Sequence, residues 1–170
     1  MNHADAARHI IASNRYLTMA TAAGGDPWIA PLAYVVDSDY FFYYYSAVDS
    51  RHSQDAARNP TAAVAIFNST ESSDSVDGLQ FSATVEEVDP SDLNRVMDLY
   101  FKQSFPDPAD RARWLRPKED FLGTSIQRFY RIKPLQIFKI DPASTKVDRR
   151  VEVDLAQLKA RPAYPKDDVR

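Results

Sequence analysis

The sequence predicts a mainly β fold with short helices (α+β): a small antiparallel barrel, closed or split. Three observations predict it. Six or seven short stretches rich in Val, Ile, Thr, Tyr and Phe are separated by clusters of Gly, Pro, Asp and Ser, the composition of strands and of the turns between them. The first connections are short, which favours antiparallel neighbours. Helical apolar spacing occurs only in brief segments placed between strands, the longest over 90–104. Closing such a sheet into a barrel buries one face of every strand and leaves few edges.

The elements follow in order. Asn2–Ser13 predicts a short helix with Ala7, Ile10 and Ile11 on one face and Asn14 at its end. Tyr16–Ala22 is a strand with Leu17 and Met19 on one side, and Gly24-Gly25-Asp26-Pro27 is a turn. Trp28–Val36 is a second strand. Pro31 inside it cannot donate to a ladder, so this strand lies at an edge, is bulged, or is open to a ligand. After Asp37-Ser38-Asp39, Tyr40–Ser46 completes a three-strand meander. Ser50–Arg58 is a brief helix, capped by Ser50 or Asp49 and stopped by Asn59-Pro60. Thr61–Phe67 is an apolar central strand. The Ser/Asp-rich stretch 68–77 reads as a mobile loop or lid. Gly78–Val88 alternates, with Leu79, Phe81, Ala83 and Val85 opposite Gln80, Ser82, Thr84 and Glu86.

Asp89-Pro90 opens a helix that runs to about Ser104, with an apolar stripe of Leu93, Val96, Met97, Tyr100 and Phe101. A second short helix covers 107–115. Two strands, 125–132 and 135–140, are expected on either side of a bend at Lys133-Pro134, with a weak edge strand within 146–153. The domain is expected to occupy 1–155, and 156–170 to be a polar, flexible tail.

Composition narrows the function. A chain of 170 residues, 44% apolar and 26% charged, is ordinary for one globular domain. A net charge of -3 gives no electrostatic footprint for nucleic acid. With no cysteine, disulfides, thiol catalysis and iron–sulfur clusters are excluded. Four glycines leave no glycine-rich nucleotide loop, and His3, His9 and His52 lack metal-ligand spacing. No apolar run reaches membrane-spanning length and no signal peptide is evident, so a cytoplasmic protein without a membrane partner is expected.

The chemistry concentrates in 46–52. Ser46, Asp49, Ser50, Arg51 and His52 place hydroxyls, a permanent cation and a titratable ring at the mouth of a helix. Free backbone N–H groups and the helix dipole make that a place for an anion, and an Arg beside them adds a forked donor. A capped helix with an exposed Arg is the plainer reading.

Ser46, Ser50-Arg51-His52, Asn59-Pro60 and the strand Thr61–Phe67 together resemble the phosphate-binding segment of the pyridoxamine 5'-phosphate oxidase-like, FMN-binding split-barrel family. The element order is similar along most of 4–142. The resemblance implies an antiparallel split β-barrel of the FMN-binding type, with the cofactor in a cleft of a homodimer. It implies that Ser46 and Ser50 bond the FMN phosphate and that Arg51 pairs with it. His52 stands where well-known members carry Lys. Trp28, Ala30 and Pro31 fall on the strand that approaches the flavin, and the Arg that the oxidases carry there is missing. Gln80 matches a Gln that family members place near the flavin. Beside these readings stand plainer ones: Trp28 as a core aromatic, Pro31 as edge protection and Gln80 as a solvent-facing residue. Phe42 and Tyr44 flank a ring or, first, fill the core; Arg131 reaches a cofactor or, first, lies on the surface. The implied function is an FMN-dependent oxidoreductase acting on an unidentified small molecule. The alternative is a non-catalytic split-barrel module that binds flavin, deazaflavin or haem.

Overall fold

Tyr34 is the residue at which chain order and sheet order part, and the barrel follows from that break. The computed structural model describes residues 2–70, 72, 77–144, 147 and 149–161. Strands β1 (Tyr16–Ala23) and β2 (Asp26–Ala33) form a hairpin closed by Gly24 and Gly25 at φ 68° and 93°. Such a turn matches the twist of the flanking strands and needs residues tolerant of positive φ. The second strand was expected to run unbroken to Val36. Instead β3 (Val35–Val36) leaves β2 and pairs with β4 (Phe42–Ala47). The expected three-strand meander is therefore two pairs.

The remaining strands are β5 (Thr61–Phe67), β6 (Gly78–Glu87), β7 (Gln127–Ile140) and β8 (Arg150–Val153). Sheet order is β2-β1-β5-β6-β7-β4-β3, with β8 added beside β7. The two edges of this path, β2 and β3, are consecutive in the chain and joined through Tyr34 alone. The sheet must curl until its edges approach, which makes an antiparallel split half-barrel. Tyr34 holds the corner: its N–H donates to Arg15 O at 3.3 Å and its hydroxyl to Ile11 O at 2.6 Å. Pro27 and Pro31 lie on the β2 edge, where a missing donor costs nothing. At the β3 edge, Gln103 supplies a substitute strand: its amide accepts from Val36 N at 3.2 Å and donates to Val36 O at 2.8 Å.

The two strands expected around Lys133-Pro134 are one strand, β7. Pro134 pairs with Ala83 and Gln136 with Ser82, so Leu135 is the extra residue of a bulge. The bulge absorbs the bend expected at Lys133-Pro134 without ending the strand.

Among the described residues five α-helices accompany the strands: α1 (His3–Ser13) before β1, α2 (Arg51–Arg58), α3 (Leu93–Ser104) and α4 (Pro108–Trp114) between strands, and α5 (Leu155–Lys159) after β8. The Asn2 side chain accepts from Asp5 N at 2.7 Å and caps α1. The third helix starts later than its proline suggested. The Asp89 carboxylate accepts from Ser91 N and Ser91 Oγ at 2.8 and 2.6 Å, closing a turn first, and Asp92 becomes the N-cap. The boundary placed at 155/156 cuts through α5. Asp154 caps this helix, Leu158 is wholly buried, and the buried Arg8 of α1 donates to Leu158 O and Gln157 O. One Leu in a polar stretch was too small a signal to show that docking. Residues 162–170 of the expected tail, and 71 and 73–76 of the expected lid, lie outside the described residues.

Two cores result. Leu17, Met19, Val64, Ile66, Phe81 and Ile132 fill the barrel interior. Outside the barrel, α3 and a 3-10 helix at Lys118–Phe121 cover the outer face of β4 and the first half of β7. Tyr45 lies there edge-on to Tyr100, Phe121 and Phe129, with ring centroids 5.2–5.4 Å apart, a favoured aromatic geometry.

Candidate functional site

Strand β4 delivers Ser46 to the mouth of α2, and the turn between them closes through Ser50 N to Ala47 O at 3.2 Å. Three hydroxyls and an imidazole are knotted here. His52 Nε2 lies 2.8 Å from Ser46 Oγ and 3.2 Å from Ser50 Oγ. Ser50 donates to Ser53 Oγ at 2.8 Å, and Ser53 is bonded in turn to Tyr130 of β7. Ser50 occupies the N-cap, yet its side chain makes no capping bond. The first-turn N–H groups of α2 are thus left open to an acceptor from elsewhere, with the helix dipole favouring an anion. Burial pushes the His52 imidazole below its ordinary value of 6.5, against the opposite pull of Asp55.

Arg51 stands at the same mouth. Its guanidinium lies 4.8 Å from the centre of the Trp28 ring, and its Nε is 3.9 Å from Asp55 Oδ2. Asp55 is buried and accepts from Thr21 Oγ1 of β1 at 3.1 Å. Asn59 donates to Ala22 O at 3.0 Å. The short helix is therefore fastened along the β1–β2 hairpin, with its N-terminus and Arg51 facing outward. Sequence reasoning missed Asp55, Ser53 and Thr21. Asp55 had a signal, since a carboxylate four residues after an Arg shares its helix face; Thr21 and Ser53 had none.

The other predicted residues fall elsewhere. Gln80 pairs with Ala65 and points away from the barrel interior. With Thr18, Ala20, Ile29, Ala63, Ser82, Gln136 and Phe138 it lines a shallow, largely apolar concavity of about 410 Å³ on the outer face of the sheet. Pro31, opposite Thr18, borders that face. Ala30, opposite the buried Met19, is itself buried on the inner side. The eight sequence-derived positions thus divide into a phosphate-type turn (Ser46, Ser50, Arg51, His52, with Trp28 beside Arg51), an outer face (Gln80, Pro31) and the interior (Ala30). Phe42 and Tyr44 point inward and serve the core. Tyr44 stacks on Tyr130 at 5.2 Å, and its buried hydroxyl has no hydrogen-bond partner among the described residues. Arg131 pairs with Glu86. Among the described residues, no group of three His, Asp or Glu could hold a metal, and no helix is long and apolar enough to cross a membrane.

The pyridoxamine 5'-phosphate oxidase family profile matches residues 4–146. The sequence matches no curated protein. Several solved structures share the fold. A heme-binding protein from Mycobacterium smegmatis superposes with a TM-score of 0.68 at 17% identity, over 94% of this chain and 61% of that one. The chain thus spans less than two thirds of that protein's length. HutZ, a heme storage protein from Vibrio cholerae, gives 0.62 at 19% identity, over 81% of this chain and 94% of its own. A FAD-binding protein from Mesorhizobium loti gives 0.58 at 18% identity, over 82% and 94%.

Proposed function

This chain belongs to the pyridoxamine 5'-phosphate oxidase family, and from that premise we propose that it is an FMN-binding flavoprotein, an oxidoreductase acting on a small molecule, that works as a homodimer. The observation that carries the reading is the mouth of α2: an N-cap serine whose hydroxyl leaves the helix N–H groups open, beside Ser46, His52 and an outward-facing Arg51. Open N–H groups, hydroxyls and a guanidinium are the donor set that a phosphate monoester takes. The apolar outer face with Gln80, Ser82 and Gln136 suits a planar ring that carries hydrogen-bonding edges. The residues present therefore fit FMN.

Ser46, Arg51 and the open backbone N–H groups that follow Ser50 would hold the phosphate, and Gln80 would meet the ring. When bound, the flavin supplies the electron transfer, and the protein supplies binding, orientation and exclusion of water. The bare outer face, with Ile29 62% and Phe67 56% exposed, supports a second copy packed there, because contiguous apolar surface mostly marks an interface.

A second reading, a non-catalytic module for flavin, deazaflavin or haem, is favoured by one observation. Ala30 and Pro31 stand where the oxidases carry the strand Arg, and the Lys position holds a His whose pKa burial lowers. This weakens phosphate anchoring more than ring binding. Titration of cofactor-stripped protein with FMN, followed by flavin fluorescence, tests the first reading. Saturable binding that weakens roughly tenfold or more in Arg51→Ala is expected for a lost charge-assisted contact. Absence of saturable binding by the wild type contradicts it. Steady-state turnover with a reduced nicotinamide donor separates the enzyme from the binding module.

A further inference from the structure

We infer that the anion site takes up a phosphate ester together with one proton, carried by His52 and presented to the ligand through the Ser46 hydroxyl. This deepens the FMN reading and rests on it. The argument is one of charge and of hydrogen-bond direction.

Charge comes first. Arg51 is the permanent cation at the helix mouth, and the buried Asp55, 3.9 Å from its Nε, offsets part of its charge; Arg128, opposite Ser46 on β7, is engaged by Glu87 and by the carbonyls of Ser125 and Gln127. The exposed Asp49 precedes Arg51 on the same turn. The other groups facing the site do not compensate. Tyr44 of β4 and Tyr130 of β7 are phenols that burial keeps neutral. Glu87 of β6 is held by Arg128 of β7 at 3.0 Å. The β1–β2 hairpin contributes Thr21 and Trp28, neither of which titrates. A phosphate monoester brings a charge of about -1.5 to -2 at neutral pH. In a half-buried turn that excess needs a cation, and His52 is the one side chain there that can become one.

Direction comes second. Ser50 gives its hydroxyl hydrogen to Ser53 Oγ at 2.8 Å, so toward an incoming anion it offers lone pairs. If His52 Nε2 is bare, Ser46 donates to it across 2.8 Å and offers lone pairs as well. A hydrogen on Nε2, in the neutral Nε2–H tautomer or in the imidazolium, donates to Ser46 Oγ and releases the Ser46 hydrogen toward the phosphate or toward Ser50 Oγ at 3.4 Å. Either form with a hydrogen on Nε2 thus turns the knot from an acceptor into a donor, and charge selects the imidazolium, which alone also supplies the cation. His52 is a positioning residue in this account, acting through Ser46.

Titration calorimetry with FMN in two buffers of different ionisation heat measures protons taken up directly. Above neutral pH the wild type should approach one proton per FMN bound, and affinity should fall toward about tenfold per pH unit, the linkage expected of one titrating group. His52→Gln keeps a donor near the Nε2 position and cannot titrate. His52→Lys keeps the cation at every pH used. Both should lose the uptake and the slope, with the Lys variant tighter than wild type at high pH. The ligand's own ionisation, near pH 6, is common to all three and subtracts. FMN binding without proton uptake, or an undiminished slope in His52→Gln or His52→Lys, overturns this inference and leaves the flavin reading standing. No FMN binding by the wild type or by His52→Lys at any pH overturns the flavin reading and this inference with it.

Discussion

The two outer faces of one sheet meet different fates. Over β4 and the first half of β7, the outward Tyr45 and Phe129 are roofed by α3 and the 3-10 helix in a tight aromatic cluster. Over β1, β2, β5 and β6, the outward residues are small or exposed: Thr18, Ala20, Ala63 and Ala65 lie among Ile29, Gln80 and Ser82, and among the described residues no helix is laid on them. The large aromatics of the covered face are buried by partners from the same chain. A flat field of alanines can instead accept another sheet or a planar ring at close range. The chain thus completes one face itself and leaves the other for something outside it, with the mouth of α2 fastened along the β1–β2 hairpin of that open half.

The largest expected effect breaks the covered face. Phe129→Ala removes a ring packed against Tyr45, Tyr100 and Phe121. It should cost about 3–5 kcal/mol in denaturant unfolding, as other buried Phe→Ala changes do.

Next is the fastening between the faces. Asp55→Ala leaves buried Thr21 without its acceptor and frees Arg51. Stability should fall by about 1–3 kcal/mol, while FMN affinity holds or rises, because the competing carboxylate is gone. Weaker FMN binding in a folded Asp55→Ala would show instead that Asp55 aims Arg51 at the ligand.

A smaller effect is pH-dependent. The folded-state pKa of His52 is depressed below 6.5 by burial, so the folded apoprotein binds this proton less readily than the unfolded chain. Its contribution to stability is present above pH 6.5 and is lost as pH falls toward the folded value. Acidification through that window should destabilise apoprotein, and His52→Gln should remove that part of the dependence. Unfolding midpoints at a series of pH values read both.

Much of this was legible in the sequence, and the gaps have physical causes. The helix end at Asn14, the Gly24-Gly25 turn, the apolar strand at 61–67 and the alternation of 78–88 are local codes, and they hold in the structure. The outward position of Gln80 follows from that alternation. The break at Tyr34 was not legible, because Val35-Val36 continues an apolar run and only the pairing with β4 reassigns it. The single strand across Pro134 needed knowledge of its partner, Ala83. The Thr21–Asp55 bond joins residues far apart in sequence. The difference between the two outer faces is of the same kind: both read as strands, and which one a helix covers depends on where α3 returns to the sheet.

The smallest effect on folding falls on the open face and bears most on the account. Ala65→Arg places a charge in the middle of the apolar field, opposite Gln80. As an outward substitution it should change the stability of the single chain by no more than about 0.5 kcal/mol. Sedimentation velocity, followed at both protein and flavin absorbance, tests whether that face is an interface. The account predicts that wild-type protein sediments as a dimer carrying FMN, and that Ala65→Arg sediments as a folded monomer without it. A wild-type monomer that carries FMN, and an Ala65→Arg protein that binds it equally well, would contradict the account.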